Sequence, residues 1–334
     1  MLDFTKLIDS SCSKIAVALS GGSDSLALTF LLNDFCAKNK INLIAITIDH
    51  KMRPNSSKEA KDLALLLKSN KINHQVLAIP KNKIPKSNIE SRLRQIRYEI
   101  LYEFCQRNKI NHLFLGHILS DVAENFLIRL FRGSGLDGLS SIAEISNYKE
   151  IKLIRPLLKI SKDELKNYLQ EKKIQWFEDE TNEDEKFLRN KIRKFFNSFE
   201  EKELIHNRIK NATDEIAKSR EFIDSILLKE AKKIIKIRKD GFLIKIEKLK
   251  KLDEKIALKI LALILMENSR KPYKPRLHNL KNFYQKLINN FEKKQNFYNS
   301  MAKKIDEKNI LIYPEKLKIV SKKDLNTILK DIFR

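Results

Sequence analysis

Glycine is scarce in this chain, with 7 residues in 334, and cysteine is scarcer, with three. Cys12, Cys36 and Cys105 stand far apart and no Cys-x-x-Cys occurs. That spacing argues against a disulfide framework or a cysteine-ligated metal, and Cys36 and Cys105 read as small hydrophobes within apolar patterns. No apolar run approaches membrane-spanning length and no charged-then-apolar leader opens the sequence. A cytoplasmic protein with no membrane partner is therefore expected. Acidic residues are in deficit, 43 against 67 basic ones, for a formal net charge of +24. A polyanionic partner, most simply nucleic acid, would answer that surplus; a lysine-rich composition set by codon usage would produce it too. No repeat at a solenoid period is present.

Against this scarcity, two glycines stand side by side in "ALSGGSDSLA". Before them, Lys14 to Leu19 is a nearly continuous apolar run, as in a strand buried on both faces. After them, Leu26, Leu28, Phe30, Leu31, Leu32 and Phe35 follow at helical spacing, with Lys38 and Lys40 at the negative pole. The stretch is a strand-to-helix turn. Its glycines let backbone N–H groups approach a ligand, and the helix start adds partial positive charge. Ser20, Ser23 and Ser25 add hydroxyls, a composition suited to a phosphate group. Neither a Walker ending nor a Gly-x-Gly-x-x-Gly fingerprint accompanies it. A tight turn capped by Ser23 or Asp24 is the plain structural alternative.

Up to about residue 160, strand-like and helical patterns alternate. Strands are expected at 41–49, 76–79, 112–117 and 151–154, and helices open at Ser56 and Ser161, each with a glutamate at capping-box spacing. This pattern predicts an α/β fold, a parallel sheet with helices on both faces. Ligands would bind beyond the carboxyl ends of the strands, where Ser20-Gly21-Gly22, Asp49-His50 and Gly116-His117 fall. A charged helical stretch then covers 199–236, and strands are expected at 241–246, 310–313 and 317–320. The expected domains are a catalytic domain over 1–198, a linker helix over 199–238 and a small α+β domain over 239–334.

Ser-Gly-Gly-x-Asp-Ser after a strand resembles the PP-loop of the N-type ATP pyrophosphatases, which cleave ATP between the α and β phosphates. Four further stretches follow in order: "TIDHKMRPNSSKEA", "NIESRLRQIRYEIL", "GHILSDVAENFLIRLFRGSGLDGL" and "IRPLLKISKDEL" with "WFEDETNEDEKFLRNKIR". Together they are similar to the tRNA(Ile)-lysidine synthetase family over residues 14–196, and the proline-bounded loop near residue 275 is similar to that family's following small domain. The resemblance implies ATP and Mg2+ as cofactors, and L-lysine and a tRNA(Ile) with a CAU anticodon as partners. The wobble cytidine would be adenylated and lysine would then displace AMP. Oligomeric state is left open, a homodimer being one option.

The resemblance assigns roles residue by residue. Ser20, Gly21, Gly22, Ser23, Asp24 and Ser25 would hold ATP, with Asp24 a magnesium partner directly or through water. Asp49 and His50 match an Asp-His of the family on the nucleotide side. Asp121 and Glu124, three apart on one helical face, match its acidic pair; read alone, Asp-x-x-Glu is equally a capping box. Arg94 and Arg97 match an Ala-Arg-x-x-Arg-Tyr pattern, with Leu93 for the alanine, and imply phosphate or base contacts, Arg97 on the catalytic side. His117 lies on the substrate side. Arg189-Asn190 and Arg193 match an Arg-Asn-x-x-Arg signature, and their shared face suits RNA backbone. Departures are Ile118, Ser120 and Val122, where the family carries histidine, aspartate and glutamine. Rivals are a PP-loop tRNA thiolase, an ammonia-using synthetase and an inactive tRNA-binding protein.

Overall fold

The structure, a computed structural model, describes residues 2–49, 56–80, 89–140, 142–177, 188–271, 273–289, 291 and 294–315. His50, the side chains of Ser56 and Glu59, and the strand expected at 317–320 lie outside the described residues. The chain forms two compact units, Met1–Ala217 and Lys218–Arg334.

In the first unit the elements are β1 (Lys14–Ala18), α1 (Ser23–Asn39), β2 (Asn42–Asp49), α2 (Ser56–Ser69), β3 (Asn73–Ala78), α3 (Ile89–Arg107) and β4 (His112–Leu115). They continue with α4 (Leu119–Phe131), α5 (Leu136–Leu139), β5 (Ile145–Tyr148), β6 (Ile151–Ile154), α6 (Lys162–Glu171), α7 (Leu188–Asn197) and α8 (Lys202–Ile234), the last crossing the unit boundary. The sheet order is β3-β2-β1-β4-β6-β5. All pairs are parallel except β5 with β6, an antiparallel edge. The "ISNY" of β5, half-exposed and short, gives no buried-strand signal, and the sequence reading missed it.

Side-chain alternation on β1 explains why helices cover both faces. Ile15, Val17 and Leu19 pack with Leu26 and Leu28 of α1, Leu63 of α2 and Leu165 of α6. Ala16 points to the other face, with Leu101 and Cys105 of α3. Ser161 caps α6 as expected: its hydroxyl accepts from the Glu164 N–H at 3.2 Å and the Glu164 carboxylate accepts from the Ser161 N–H at 2.7 Å. The strand order reverses between β1 and β4, so the loops after these two strands flank the crevice where such sheets bind ligands.

The second unit holds β7 (Ile235–Arg238), β8 (Gly241–Lys245), α9 (Ile246–Lys250), α10 (Glu254–Ser269), α11 (Leu277–Ile288), β9 (Lys294–Phe297), β10 (Ser300–Lys304) and β11 (Asn309–Pro314). Its strands form an antiparallel sheet in the order β7-β8-β11-β10-β9. Phe242 and Ile244 of β8 and Ile310 and Ile312 of β11 pack with Leu261 of α10 and Phe283 of α11. The fold is thus a mostly parallel sheet sandwiched by helices, then a helix and a small α+β unit. Between α9 and α10 Asp253 caps a new helix start by accepting from the Lys255 N–H at 2.8 Å. Among the described residues no helix is long and apolar enough to cross a membrane.

Candidate active site

The chain leaves β1 at Ala18 and enters α1 at Ser23, turning through Gly21 at φ +88°. A side chain at Gly21 would be strained there and would press on the Phe177 ring, 3.1 Å from an ideal Cβ. Phe177 N–H also donates to the Gly21 carbonyl at 3.1 Å. Ser25 ties the turn: its Oγ accepts from the Ser20 N–H at 3.1 Å, donates to the Gly22 carbonyl at 3.2 Å and lies 3.0 Å from Ser20 Oγ. Ser23 Oγ donates to Asp24 Oδ1 at 2.9 Å. The hydroxyls of Ser23 and Ser25 therefore also shape the loop, through bonds within the turn. The helix cap is Gly22, not Ser23 or Asp24, and supplies no side chain. The first-turn N–H groups of this 17-residue helix meet no capping side chain, the arrangement that favours an anion.

Gly116, at the end of β4, lies against this turn. An ideal Cβ there would stand 2.9 Å from Ser25 Cα and 3.0 Å from Ser25 N, so only glycine lets the β4 loop meet the start of α1. The sequence reading took Gly116 as part of a strand end and gave it no role.

Asp24 faces this crevice with its carboxyl pushed up, first by burial; the hydrogen bond from Ser23 and the charges of Lys162 and Arg193 pull down, and Asp121 adds to the rise. These causes place Asp24, Asp121, Arg193 and Lys162 in one electrostatic neighbourhood. Lys162 is the first residue of α6, where a cation opposes the helix dipole. That mismatch is the signal that could have marked it.

Asp121 and Glu124 do not form the capping box that their spacing allows, because α4 begins at Leu119 with Ile118 as its N-cap. Asp121 is instead the third residue of α4, in its first turn, and its Oδ2 accepts from the N-cap Ile118 N–H at 3.0 Å. Glu124 is 3% exposed, and both of its oxygens are occupied. Arg189 Nε donates to Oε2 at 2.7 Å and Arg193 Nε to Oε1 at 2.8 Å. Arg189 Nη2 also donates to Asp121 Oδ1 at 3.2 Å. An apolar contact of Ala123 with Ile192 and Phe196 holds α4 against α7, which presents both arginines at helical spacing. The acidic pair and the arginine pair, read separately in the sequence, are one network.

His117, beyond β4, has its imidazole pushed down to about 4 by burial, with Asp121 pulling up and Arg155, Arg94 and Arg97 pushing further down. Its Nδ1 is buried without a hydrogen-bond partner. Arg94 donates to the Tyr98 hydroxyl at 3.4 Å, and both Arg94 and Arg97 lie over the Tyr98 ring, 5.3 and 5.9 Å from its centre. Arg155, 7% exposed, donates to the Ala143 carbonyl at 3.0 Å and to Ser146 Oγ at 2.9 Å. The Nε atoms of Arg97 and Arg155 are buried without partners. Arg155 stands in the quoted "IRPLL" but received no role from the sequence. Asp49 ends β2, half-buried, its carbonyl accepting from the Ile79 N–H at 3.2 Å.

The site thus has a turn whose uncapped helix N–H groups would suit an anion, one carboxylate at its edge, an acid–arginine network and a guanidinium cluster around a neutral histidine. Comparison with known proteins identifies the family. The family profile described as PP-loop domain matches residues 2–199. The tRNA(Ile)-lysidine synthase of Wolbachia pipientis wMel is 32% identical over 290 residues, covering 85% of this chain and 67% of that protein. That of Wolbachia sp. subsp. Brugia malayi (strain TRS) is 33% identical over 278 residues, covering 83% and 64%. The chain spans about two thirds of the length of these relatives, and 42% of that of Orientia tsutsugamushi (strain Boryong), to which it is 40% identical over 185 residues, or 55% of this chain. Among solved structures, the U34-tRNA thiolase NcsA from Methanococcus maripaludis with its 4Fe-4S cluster superposes at a TM-score of 0.54 and 22% identity, covering 61% of this chain and 72% of that one; the likeness is one of fold. The chain belongs to the PP-loop family and, within it, to the tRNA(Ile)-lysidine synthase family.

Proposed function

We propose that the chain uses ATP to adenylate the wobble cytidine of a tRNA(Ile) with a CAU anticodon, and that free lysine then displaces AMP to give lysidine. The observation that carries this reading is the electrostatic neighbourhood of Asp24, Asp121 and Arg193, which joins the phosphate turn to the acid–arginine network. One crevice then serves both steps.

In the first step the turn at Ser20–Ser25 and the N–H groups at the start of α1 hold the β and γ phosphates. The α phosphate is left to the cytidine carbonyl oxygen, which is a poor leaving group until it carries AMP. Lys162 balances charge beside Asp24. A magnesium ion fits this edge: Mg2+ uses one or two carboxylates and completes its shell with phosphate oxygens and water. Asp24 supplies the carboxylate, and among the described residues no third His, Cys, Asp or Glu side chain converges with it to form an all-protein cage. When bound, the ion neutralises charge on the departing pyrophosphate.

In the second step a lysine amine, with a free pKa of about 10.4, must attack in its neutral form. Asp121 is the carboxylate for that task, orienting the ammonium and taking its proton. Glu124, enclosed by two guanidiniums, acts by holding Arg189 and Arg193, which steer the phosphate and RNA backbone. Arg97, Arg94 and Arg155 around the neutral His117 form the polyanion-facing wall. The second unit adds tRNA affinity through the loop near Tyr273, which is 76% exposed among Lys271, Lys274 and Arg276. The reaction belongs in the cytoplasm, where its substrates are. A thiolase reading lacks usable thiols at this crevice, since burial pushes both Cys36 and Cys105 up to about 12.

The order of events tests the proposal. tRNA(Ile) and labelled ATP should release pyrophosphate and leave an AMP adduct on the tRNA before lysine is added. Pyrophosphate that appears only once lysine is present overturns the two-step scheme.

A further inference from the structure

The amino ends of the parallel strands, opposite the phosphate turn, carry a second reactive cluster. β1 starts at Lys14, β4 at His112, and Lys152 of β6 pairs with His112 across the sheet. Cys12, just before β1, places its Sγ 3.4 Å from His112 Nδ1 and 3.3 Å from the Lys14 carbonyl. On the other side of the ring, His112 Nε2 lies 3.1 Å from Asp9 Oδ2, a close polar contact that falls short of a linear hydrogen bond. Lys152 Nζ donates to both Asp9 oxygens, at 2.7 and 2.8 Å.

The chemistry of this arrangement is directional. An ionised carboxylate only accepts, so Asp9 favours the tautomer with hydrogen on Nε2. That tautomer turns the Nδ1 lone pair toward Cys12. The imidazole is buried and its pKa is pushed down by burial, against the upward pull of Asp9 and with Lys152 pushing down as well, so it rests neutral and able to accept a proton. Thiol, base and orienting carboxylate thus stand in the order that activates a nucleophile. A single metal ion does not explain the cluster, because Cys12 and Asp9 address different ring nitrogens. Cys12 itself is partly exposed.

We propose that Cys12 is a reactive thiol, a site of mixed-disulfide formation with low-molecular-weight disulfides, with His112 as its base and Asp9 as the positioning residue. The Cys12 proton passes to His112 Nδ1 and the thiolate attacks one sulfur of the disulfide. A new S–S bond forms at Cys12 as the old one breaks, oxidising Cys12 and reducing the other half. The departing thiolate takes the proton back from His112.

Two features make this testable on the full chain. Cys105 is buried with its thiol pushed up to about 12 by burial, so it serves as a silent internal control, while Cys36, pushed up to about 12 by burial and further by the neighbouring Cys12, is followed separately. Asp9 has a 55% exposed side chain, so Asp9→Asn tests the relay without cutting the core, whereas His112 is buried. The experiment treats native protein with oxidised glutathione from pH 6 to 9 and follows a single adduct mapped to Cys12 by mass spectrometry. Cys12 should react at pH 7 about tenfold faster than the same cysteine in urea-unfolded chain. Asp9→Asn should remove most of that advantage and move the rise of the rate to higher pH, while pyrophosphate release stays unchanged. His112→Gln, if folded by circular dichroism, should do the same. A native rate no greater than the unfolded rate, or an unchanged pH–rate profile in Asp9→Asn, overturns the proposal.

Discussion

Glu124 and Arg189 meet at 2.7 Å across the packed faces of α4 and α7, with the carboxylate almost wholly buried. Arg193 takes the other oxygen at 2.8 Å. Removing one partner of such a network leaves uncompensated charge, which is costlier than the pair is stabilising. Both guanidiniums are about one third exposed, which moderates the cost. Glu124→Ala should therefore lose about 3 kcal/mol of stability, read as a lower urea midpoint. An unchanged midpoint would show that the network holds nothing together.

Asp121→Asn separates the two acids. Its amide oxygen can still accept from the Ile118 N–H, so the start of α4 is preserved. Unfolding should stay near wild type while lysine transfer falls by at least ~100-fold, the low end of general-base contributions. Full transfer with normal stability would remove Asp121 from the chemistry.

Gly116→Ala tests the apposition of the two loops. The added methyl would stand within 3.0 Å of Ser25 backbone atoms, which are not free to swing aside as a side-chain end would be. The turn must shift, and a displacement on that scale at a phosphate site lowers kcat/KM for ATP by about tenfold or more. The readout is pyrophosphate release at varied ATP; an unaltered kcat/KM would mean that the turn tolerates the shift.

How much of this site was legible in the sequence differs by element. The β1 turn was readable because its parts are contiguous: an apolar run, two glycines and a helical apolar pattern. Alternating strands and helices gave the sheet, and the resemblance gave Asp121, Glu124, Arg189 and Arg193. Their pairing was not readable, because Glu124 and Arg189 are 65 residues apart and only tertiary packing joins them. The acids and the arginines were therefore read as two separate groups. The bonds that tie Ser25 to the Ser20 N–H and the Gly22 carbonyl were not readable either, because backbone groups carry no sequence signature. Gly116, Arg155 and Lys162 carry local oddities that had no meaning until the loops were brought together. In the second unit, β7, β9 and β10 are short and partly polar, so no run of apolar residues announced them.

His117 gives the stability a pH signature. Its folded pKa, about 4, lies below its ordinary value of 6.5. Between those values the unfolded chain binds a proton that the folded chain does not, so stability rises with pH across that window and is lost as pH falls through it. His117→Asn should flatten the stability–pH curve between about pH 4 and 6.5, measured by urea unfolding. Equal slopes in both proteins would mean that the imidazole is not held neutral.

The basic loop of the second unit should contribute affinity without sequence choice. Arg276→Ala should weaken binding of all tRNAs alike and reduce the slope of log affinity against log salt by about 1. A selective loss for one tRNA would assign Arg276 to recognition instead.

The central claim is a change of one base, and the mass of that base tests it most directly. An unmodified tRNA(Ile) with a CAU anticodon is incubated with ATP, magnesium, lysine and the protein, then digested to nucleosides and weighed. The account predicts that the wobble cytidine gains the mass of lysine less one water, with one AMP and one pyrophosphate formed for each base changed. A wobble cytidine of unchanged mass, or one that has gained sulfur, would contradict it.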